Sequence, residues 1–129
     1  MEIKQYNGKH KADFYIQCKG LHSGRPIKQP IANCFSVFNS TETDFKLVYS
    51  IYTSGKFKNQ IIGTCIPFIR ISDCRKIIYT FKDSIQENNA LDFERIKQVD
   101  RQIENIEKRL KLMKEMKKAL ALRSLKKTI

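Results

Sequence analysis

The segment "IIGTCIPFIRISDCRKII", Ile61–Ile78, indicates how the first two thirds of the chain are organised. Its apolar run around Pro67 favours extended backbone, and a proline confines such a strand to a sheet edge or a bulge. Ser72, followed by an acidic residue, is typical of a helix N-cap. Apolar side chains then recur at helical spacing from Cys74 to Ile85. The segment therefore predicts a strand that turns into a helix.

Two alternating segments lie N-terminal to this corner. The residues "DFYIQCKG" (13–20) and "CFSVFN" (34–39) alternate apolar and polar side chains, which predicts two strands with one buried face each. Between them, Gly24, Pro26 and Pro30 predict an exposed loop without regular structure.

A helix is predicted between the second strand and the corner. Its apolar stripe has the spacing i, i+3, i+4, i+7. Thr41 or Thr43 can cap its start, and Gly55 can end it. The stripe consists of Phe45, Val48, Tyr49 and Tyr52.

The two cysteines of the opening segment belong to a set of four, Cys18, Cys34, Cys65 and Cys74. A structural zinc site usually needs ligand pairs as close as C-x-x-C, because one turn must present two thiolates to one ion, and no such pair occurs. A reducing compartment argues against disulfides. Each cysteine has apolar neighbours, so we expect core packing, with metal binding and redox chemistry as the lesser alternatives.

Composition limits the class of protein. The chain has 129 residues and a formal net charge of +12, which predicts one small domain, with or without an appendage, and partners that are polyanions. Acidic protein surfaces are the alternative partners. No apolar run approaches the roughly 18 residues that cross a bilayer. The N-terminus lacks the apolar segment of a secretory signal, so we expect a cytoplasmic protein without membrane contact.

Residues 89–129 differ from the rest, because they contain neither Pro nor Gly. Asn89, with Asp92 three residues later, can start a helix. Apolar residues then fill three heptads, until Lys117 enters an a position. The stripe is narrow, as in a coiled coil, and predicts a dimer or a partner helix; folding back onto the chain's own domain is the alternative. The seam residues are Ile96, Val99, Ile103, Ile106, Leu110 and Met113, followed by Leu120.

Charge is uneven along this helix. Residues 108–127 carry nine basic side chains against Glu115 alone, a net charge of +8. A solvated helix face is the simplest interpretation of such a run. A polyanion or an acidic partner surface would relieve the self-repulsion of the charges.

Sequence signatures of catalysis are missing. The chain has no glycine-rich phosphate loop, no paired-histidine motif and no G-x-S-x-G elbow. We therefore expect a protein that is not an enzyme and uses no cofactor and no metal.

Two resemblances extend this interpretation. The segments "YIQCKGLHSGRPIKQPIANCF" and "SGKFKNQIIGTCIPFIRISDCRKII" resemble an uncharacterised family of small bacterial proteins carried on mobile elements. More weakly, "YTSGKFKNQIIGTCIPFIRISDCRKI" followed by a long helix is similar to the target-recognition domain and spacer helix of type I restriction specificity subunits. That second resemblance implies DNA binding and a helix that pairs with another helix. The chain departs from that family in being shorter than one recognition domain and in having a single long helix.

Together these features predict an α+β protein, with a small mixed domain at 1–88 and a long, basic, coiled-coil-like helix at 89–129. We expect a non-enzymatic nucleic-acid-binding accessory protein, of a phage or other mobile element, that forms a homodimer through this helix. The alternative is an adaptor or inhibitor that docks the helix on another protein without nucleic acid. The nucleic acid we expect is DNA. The predicted phosphate contacts are Arg25, Lys28, Lys56, Lys58, Arg70, Lys108, Arg109, Lys111, Lys114, Lys117 and Lys118.

Overall fold

Four short strands pair into one antiparallel sheet. The computed structural model describes the backbone of residues 1–82 and 89–127, and the side chains of residues 1–82 and 92–126. The strands are β1 (Glu2–Gln5), β2 (Phe14–Gln17), β3 (Pro26–Ile27) and β4 (Cys34–Phe38). Their order in the sheet is β1-β4-β2-β3, and every neighbouring pair is antiparallel. Strands β2 and β4 confirm the two predicted strands.

The two outer strands differ from expectation. In β1 only Ile3 is buried, so the sequence contains no alternation from which to predict it. The loop expected around Pro26 contains β3, and the prediction of irregular structure there was wrong. Pro26 lies opposite Ile16 at the edge of the sheet, where the missing N–H of proline costs no ladder hydrogen bond.

Helix α1 (Glu42–Thr53) begins at a capping box. The Thr41 hydroxyl accepts a hydrogen bond from the Asp44 N–H at 3.4 Å, and the Asp44 carboxylate accepts one from the Thr41 N–H at 2.9 Å. Gly55 follows the helix with φ of +79°, and its N–H donates to the Tyr52 carbonyl. These contacts confirm Thr41 as the cap and Gly55 as part of the helix end.

Helix α2 (Ile71–Lys82) begins two residues earlier than a Ser72 cap requires, since that cap would place the first helical residue at Asp73. The Cys74 N–H donates to the Arg70 carbonyl at 2.9 Å, so the first helical turn closes on Arg70 and Ser72 lies inside the helix. The prediction of Ser72 as the N-cap was therefore wrong. Ile85, the last residue of the predicted stripe, lies outside the described residues.

In place of the strand predicted around Pro67, the structure has two isolated β-bridges. Ile62 and Phe68 exchange both backbone hydrogen bonds at 2.8 Å, and Phe68 also bridges to Lys19. The chain folds back on itself between Ile62 and Phe68. This turn uses Gly63, whose φ is +107° and on which a Cβ would lie 2.5 Å from the Ile66 carbonyl oxygen. A reversal this tight leaves no length for a regular strand.

Both helices cover one face of the sheet. Side chains from β1, β2 and β4 pack there with Leu47, Val48 and Ile51 of α1 and with Cys74 and Ile78 of α2. The opposite face carries a smaller cluster of Ala12, Tyr15 and Cys34. The predicted core packing of the cysteines is confirmed for Cys34 and Cys74, and in part for Cys18, which is half-buried.

Cys65 is exposed, and the prediction that it packs in the core was wrong. Its apolar neighbour Ile66 is also 54% exposed, because both lie at the tip of the turn that joins Ile62 to Phe68.

The long C-terminal helix is confirmed as α3 (Asn89–Lys127), which gives a mixed α+β architecture. The chain divides into a first unit, Met1–Glu87, and a second unit, Asn88–Ile129. Asn89 is already helical, and its predicted capping side chain lies outside the described residues. Within the described part of the chain, no helix combines the length and the apolar character needed to cross a bilayer.

Candidate nucleic-acid interface

Two loops of the first unit are tied together by hydrogen bonds. The Gly20 N–H donates to the Pro67 carbonyl at 2.7 Å, and the Ile69 N–H donates to the Cys18 carbonyl at 2.9 Å. The Ser23 hydroxyl, which is buried, donates to the Gly20 carbonyl at 2.7 Å. The loops at 18–25 and 61–69 therefore form one surface with fixed geometry, which we call the loop surface.

A close contact brings three of the predicted basic residues to this surface. Gly24 lies against the ring of Phe57, where an added Cβ would be 2.5 Å from Cδ2. Arg25 follows Gly24 in sequence, and Lys56 and Lys58 flank Phe57, so these three exposed residues lie next to the contact. The Arg25 guanidinium is oriented by a 3.1 Å hydrogen bond to the Gln17 side-chain oxygen.

The other two basic residues predicted in the first unit do not flank this contact. Arg70 is exposed where the second loop enters α2. The Lys28 ammonium lies 3.8 Å from the centre of the Phe45 ring, near the start of α1. The loop surface meets the other end of α1, where His22 Nδ1 is 3.1 Å from the Tyr52 hydroxyl. Phe45 and Tyr52 are seven residues apart, about 10 Å along a helix, so Lys28 is not part of the same cluster.

The loop surface also has exposed apolar side chains, which were not predicted from the sequence as part of a site. Leu21 is 88% exposed and Ile66 is 54% exposed, and Cys65 lies beside Ile66. Leu21 stands in a Gly- and Pro-rich loop without periodicity. The only available signal was an apolar residue between polar neighbours inside a turn.

The seam of α3 is open. From Val99 onward, the exposed fraction of the predicted seam residues ranges from 46% (Ile103) to 66% (Met113). Ile96 is half-buried, and Phe93, three residues before it, is buried. The exposed members are Val99, Ile103, Ile106, Leu110, Met113 and Leu120.

The cationic half of α3 is solvated on every side. Residues 108–126 carry eight basic side chains and only Glu115 as an acidic one, and all of them are exposed. The predicted contacts Lys108, Lys111 and Lys118 occupy heptad positions f, b and b, which point away from an a/d seam. Phosphate contact by these residues is therefore compatible with a seam that is covered by another helix.

Nucleophilic and metal chemistry is disfavoured at the buried thiols. Burial raises the pKa of Cys74 to about 12, and burial also raises the pKa of Cys18 and Cys34. At neutral pH these groups are thiols rather than thiolates, which are the species that attack carbon and bind metals. Within residues 1–82 and 92–126, no three Asp, Glu, His or Cys side chains lie close enough to hold a metal ion together.

Comparisons with known proteins place the chain in a family. No curated protein and no solved structure matches it significantly. A family model, described as a family of unknown function (DUF6943), matches residues 3–123, nearly the whole chain. The chain therefore belongs to this family of unknown function, DUF6943.

Proposed function

We propose that this protein is a non-enzymatic nucleic-acid-binding accessory protein that binds phosphates through the cationic half of α3 and associates through the seam of the same helix. The observation that carries the proposal is the run of eight exposed basic side chains against one acidic side chain in residues 108–126. Over this length a helix rises about 28 Å, so these basic side chains form a segment of high positive charge density.

The physical basis is the release of counterions. Each lysine or arginine that neutralises a phosphate of duplex DNA releases condensed cations, and binding then weakens steeply as salt rises. The same contacts relieve the mutual repulsion of the basic side chains. The loop surface adds Arg25, Lys56 and Lys58 as a second cluster of positive charge.

The biological setting is proposed from the resemblance to proteins of mobile elements. A phage or another mobile element would use such a protein on its own nucleic acid, inside the cytoplasm. The protein would hold or organise the nucleic acid without altering its covalent structure.

A second candidate is favoured by the open seam. Leu110 and Met113 are 50% and 66% exposed, so the helix can dock on a partner protein without any nucleic acid. In that case the protein is an adaptor or inhibitor, and its positive charge serves to attract an acidic partner.

The test is the salt dependence of binding to a short DNA duplex. We expect micromolar or tighter binding at about 50 mM salt, with a log–log slope that becomes less steep by about 0.9 for each phosphate contact removed. The variant replaces Lys108, Lys111, Lys114 and Lys118 by glutamine. Circular dichroism checks that the helix content is unchanged.

A matched control separates local from total charge. Glutamine at the exposed Lys9, Lys11, Lys76 and Lys82 of the first unit lowers the net charge by the same four units. We expect this control to keep the wild-type slope. Equal slopes for both variants would contradict binding by α3. If the wild-type chain binds neither duplex nor single-stranded nucleic acid at 50 mM salt, nucleic-acid binding is ruled out and the adaptor or inhibitor function remains.

A further inference from the structure

The uninterrupted part of the α3 seam, from Ile96 to Met113, has a charged residue at the next position on each side. Six apolar a and d positions run from Ile96 to Met113. The next d position toward the N-terminus is Asp92, and the next a position toward the C-terminus is Lys117. Both are exposed, and the only ion pair recorded for Asp92 within the described residues is a 3.9 Å contact with the solvent-exposed Arg95.

These positions are symmetric about the middle of the seam. In an antiparallel helix pair, a positions of one chain pack against d positions of the other. A register that sets Ile103 against Ile106 of a second copy also sets Ile96 against its Met113. Continued by one position, the same register sets Asp92 against Lys117 of the second copy, at both ends of the seam.

A parallel pair gives the opposite result. It aligns Asp92 with Asp92 and Lys117 with Lys117, so that each charge at the ends of the seam meets its like. It also aligns the two cationic segments, each with net charge +7 over residues 108–126. The antiparallel pair moves these segments to opposite ends, toward residues 92–107, whose net charge is −2.

We propose that the partner of the α3 seam is a second copy of this chain, packed antiparallel in the register Ile103–Ile106, with Asp92 of each copy paired to Lys117 of the other. This deepens the proposed function by naming the occupant of the seam. Charge complementarity selects the orientation, since the apolar a and d residues alone are compatible with either direction.

Distances between spin labels test the orientation directly. Asn105 and Ala119 share heptad position c and are both exposed. In the antiparallel register, the two labels of a dimer are offset along the axis by about 2 Å at residue 105 and about 44 Å at residue 119. In a parallel dimer the two sites give the same distance. Asn105→Cys and Ala119→Cys are made in full-length Cys65→Ser protein, and that parent chain measures background labelling of the remaining thiols.

A charge exchange tests the register. Lys117→Glu sets two carboxylates together at each end of the seam, and we expect the dimer dissociation constant to rise about tenfold. Adding Asp92→Lys should restore association. Lys118→Glu, which makes the same change of charge at an outward position, is the control and should weaken association less than Lys117→Glu.

The outcomes are distinct from those of the DNA-binding test. Equal label distances at both sites, no rescue by the double exchange, or a monomer at ~100 µM would each overturn the antiparallel dimer. A monomer that still binds DNA with the expected slope would overturn this inference alone. An antiparallel dimer that binds no nucleic acid would overturn only the proposed function.

Discussion

The backbone of Gly24 lies so close to the ring of the buried Phe57 that there is no room for a Cβ atom at the glycine. The φ angle of Gly24 is +96°. This contact holds the loop between β2 and β3 against the segment that follows α1. It also brings Arg25 and the two lysines that flank Phe57 to the same part of the first unit.

Gly24→Ala should therefore destabilise the first unit strongly. The methyl group would meet the Phe57 ring, and overpacking costs about 1–3 kcal/mol in addition to about 1–2 kcal/mol for an alanine in left-handed backbone. The control is Gly8→Ala, which has φ of +79° and nothing within 4 Å of the added atom. Urea unfolding should show the larger loss for Gly24→Ala, and equal losses would contradict the packing contact.

The capping box of α1 predicts an effect at one threonine only. Thr41→Ala removes the hydroxyl that accepts from the Asp44 N–H and should lower the free energy of unfolding by about 1 kcal/mol. Thr43→Ala changes an exposed residue of the first turn and should stay within about 0.5 kcal/mol of wild type. Thermal unfolding followed by circular dichroism compares them. A larger loss at Thr43 would show that the helix is capped differently.

Arg75 links α2 to the edge strand β1. Its Nε donates to the Ile3 carbonyl at 3.0 Å, and its Nη2 donates to the same oxygen. Arg75→Ala removes both donors and should cost about 1–3 kcal/mol, since a hydrogen bond from a charged group is lost at a partly buried acceptor. Hydrogen exchange should then quicken in β1 before β2. Lys76→Ala, at an exposed position, is the control. Equally fast hydrogen exchange in β1 of this control variant would contradict a specific role for Arg75.

The four thiols should react in order of exposure. A thiol reagent at neutral pH should modify Cys65 first in the folded protein, while Cys34 and Cys74 react only after unfolding. Mass spectrometry of the partly modified protein identifies the site. Cys74→Ala should cost about 1–2 kcal/mol, whereas Cys65→Ala should be nearly neutral. Early modification of Cys74 would contradict its burial.

The raised pKa of Cys74 predicts alkaline destabilisation. The folded protein holds this proton up to a pKa of about 12, while the unfolded chain releases it above the ordinary value of 9.0. The contribution of this thiol to the free energy of unfolding is therefore complete below pH 9 and is lost as the pH rises toward 12. The stability difference between wild type and Cys74→Ala should shrink over this range. A constant difference would show that the thiol is not desolvated.

The seam predicts a specific effect of charge on association. Ile103→Asp with Ile106→Asp places two carboxylates at its centre and should convert a dimer into folded monomers, because apolar burial between the helices is lost. Leu112→Asp with Leu122→Asp adds the same charge at exposed positions outside the seam and should leave the dimer intact. Light scattering at ~100 µM distinguishes them, and equal effects would rule out the seam as the interface.

Local sequence patterns were sufficient for a large part of the fold. Helix α3 follows from the heptad spacing of its apolar residues without Pro or Gly, α1 from its stripe and its Thr41 cap, and β2 and β4 from alternation. In each case the decisive contacts lie within one turn or between alternate residues. The residues of the seam and of the cationic half of α3 could be located from the sequence for the same reason, because each face of a helix consists of residues at fixed sequence spacing.

Only the tertiary structure decided the features that depend on residues distant in sequence. Strand β1 exists because Ile3 pairs with Val37, and β3 because a proline can occupy the sheet edge beside Ile16. The corner at 61–69 bends back on itself, so Cys65 is exposed although its neighbours are apolar. The grouping of Arg25 with Lys56 and Lys58 depends on a glycine against a ring more than thirty residues away. Periodicity reports which face of an element is apolar, but which element covers that face is set by pairing and packing across the chain.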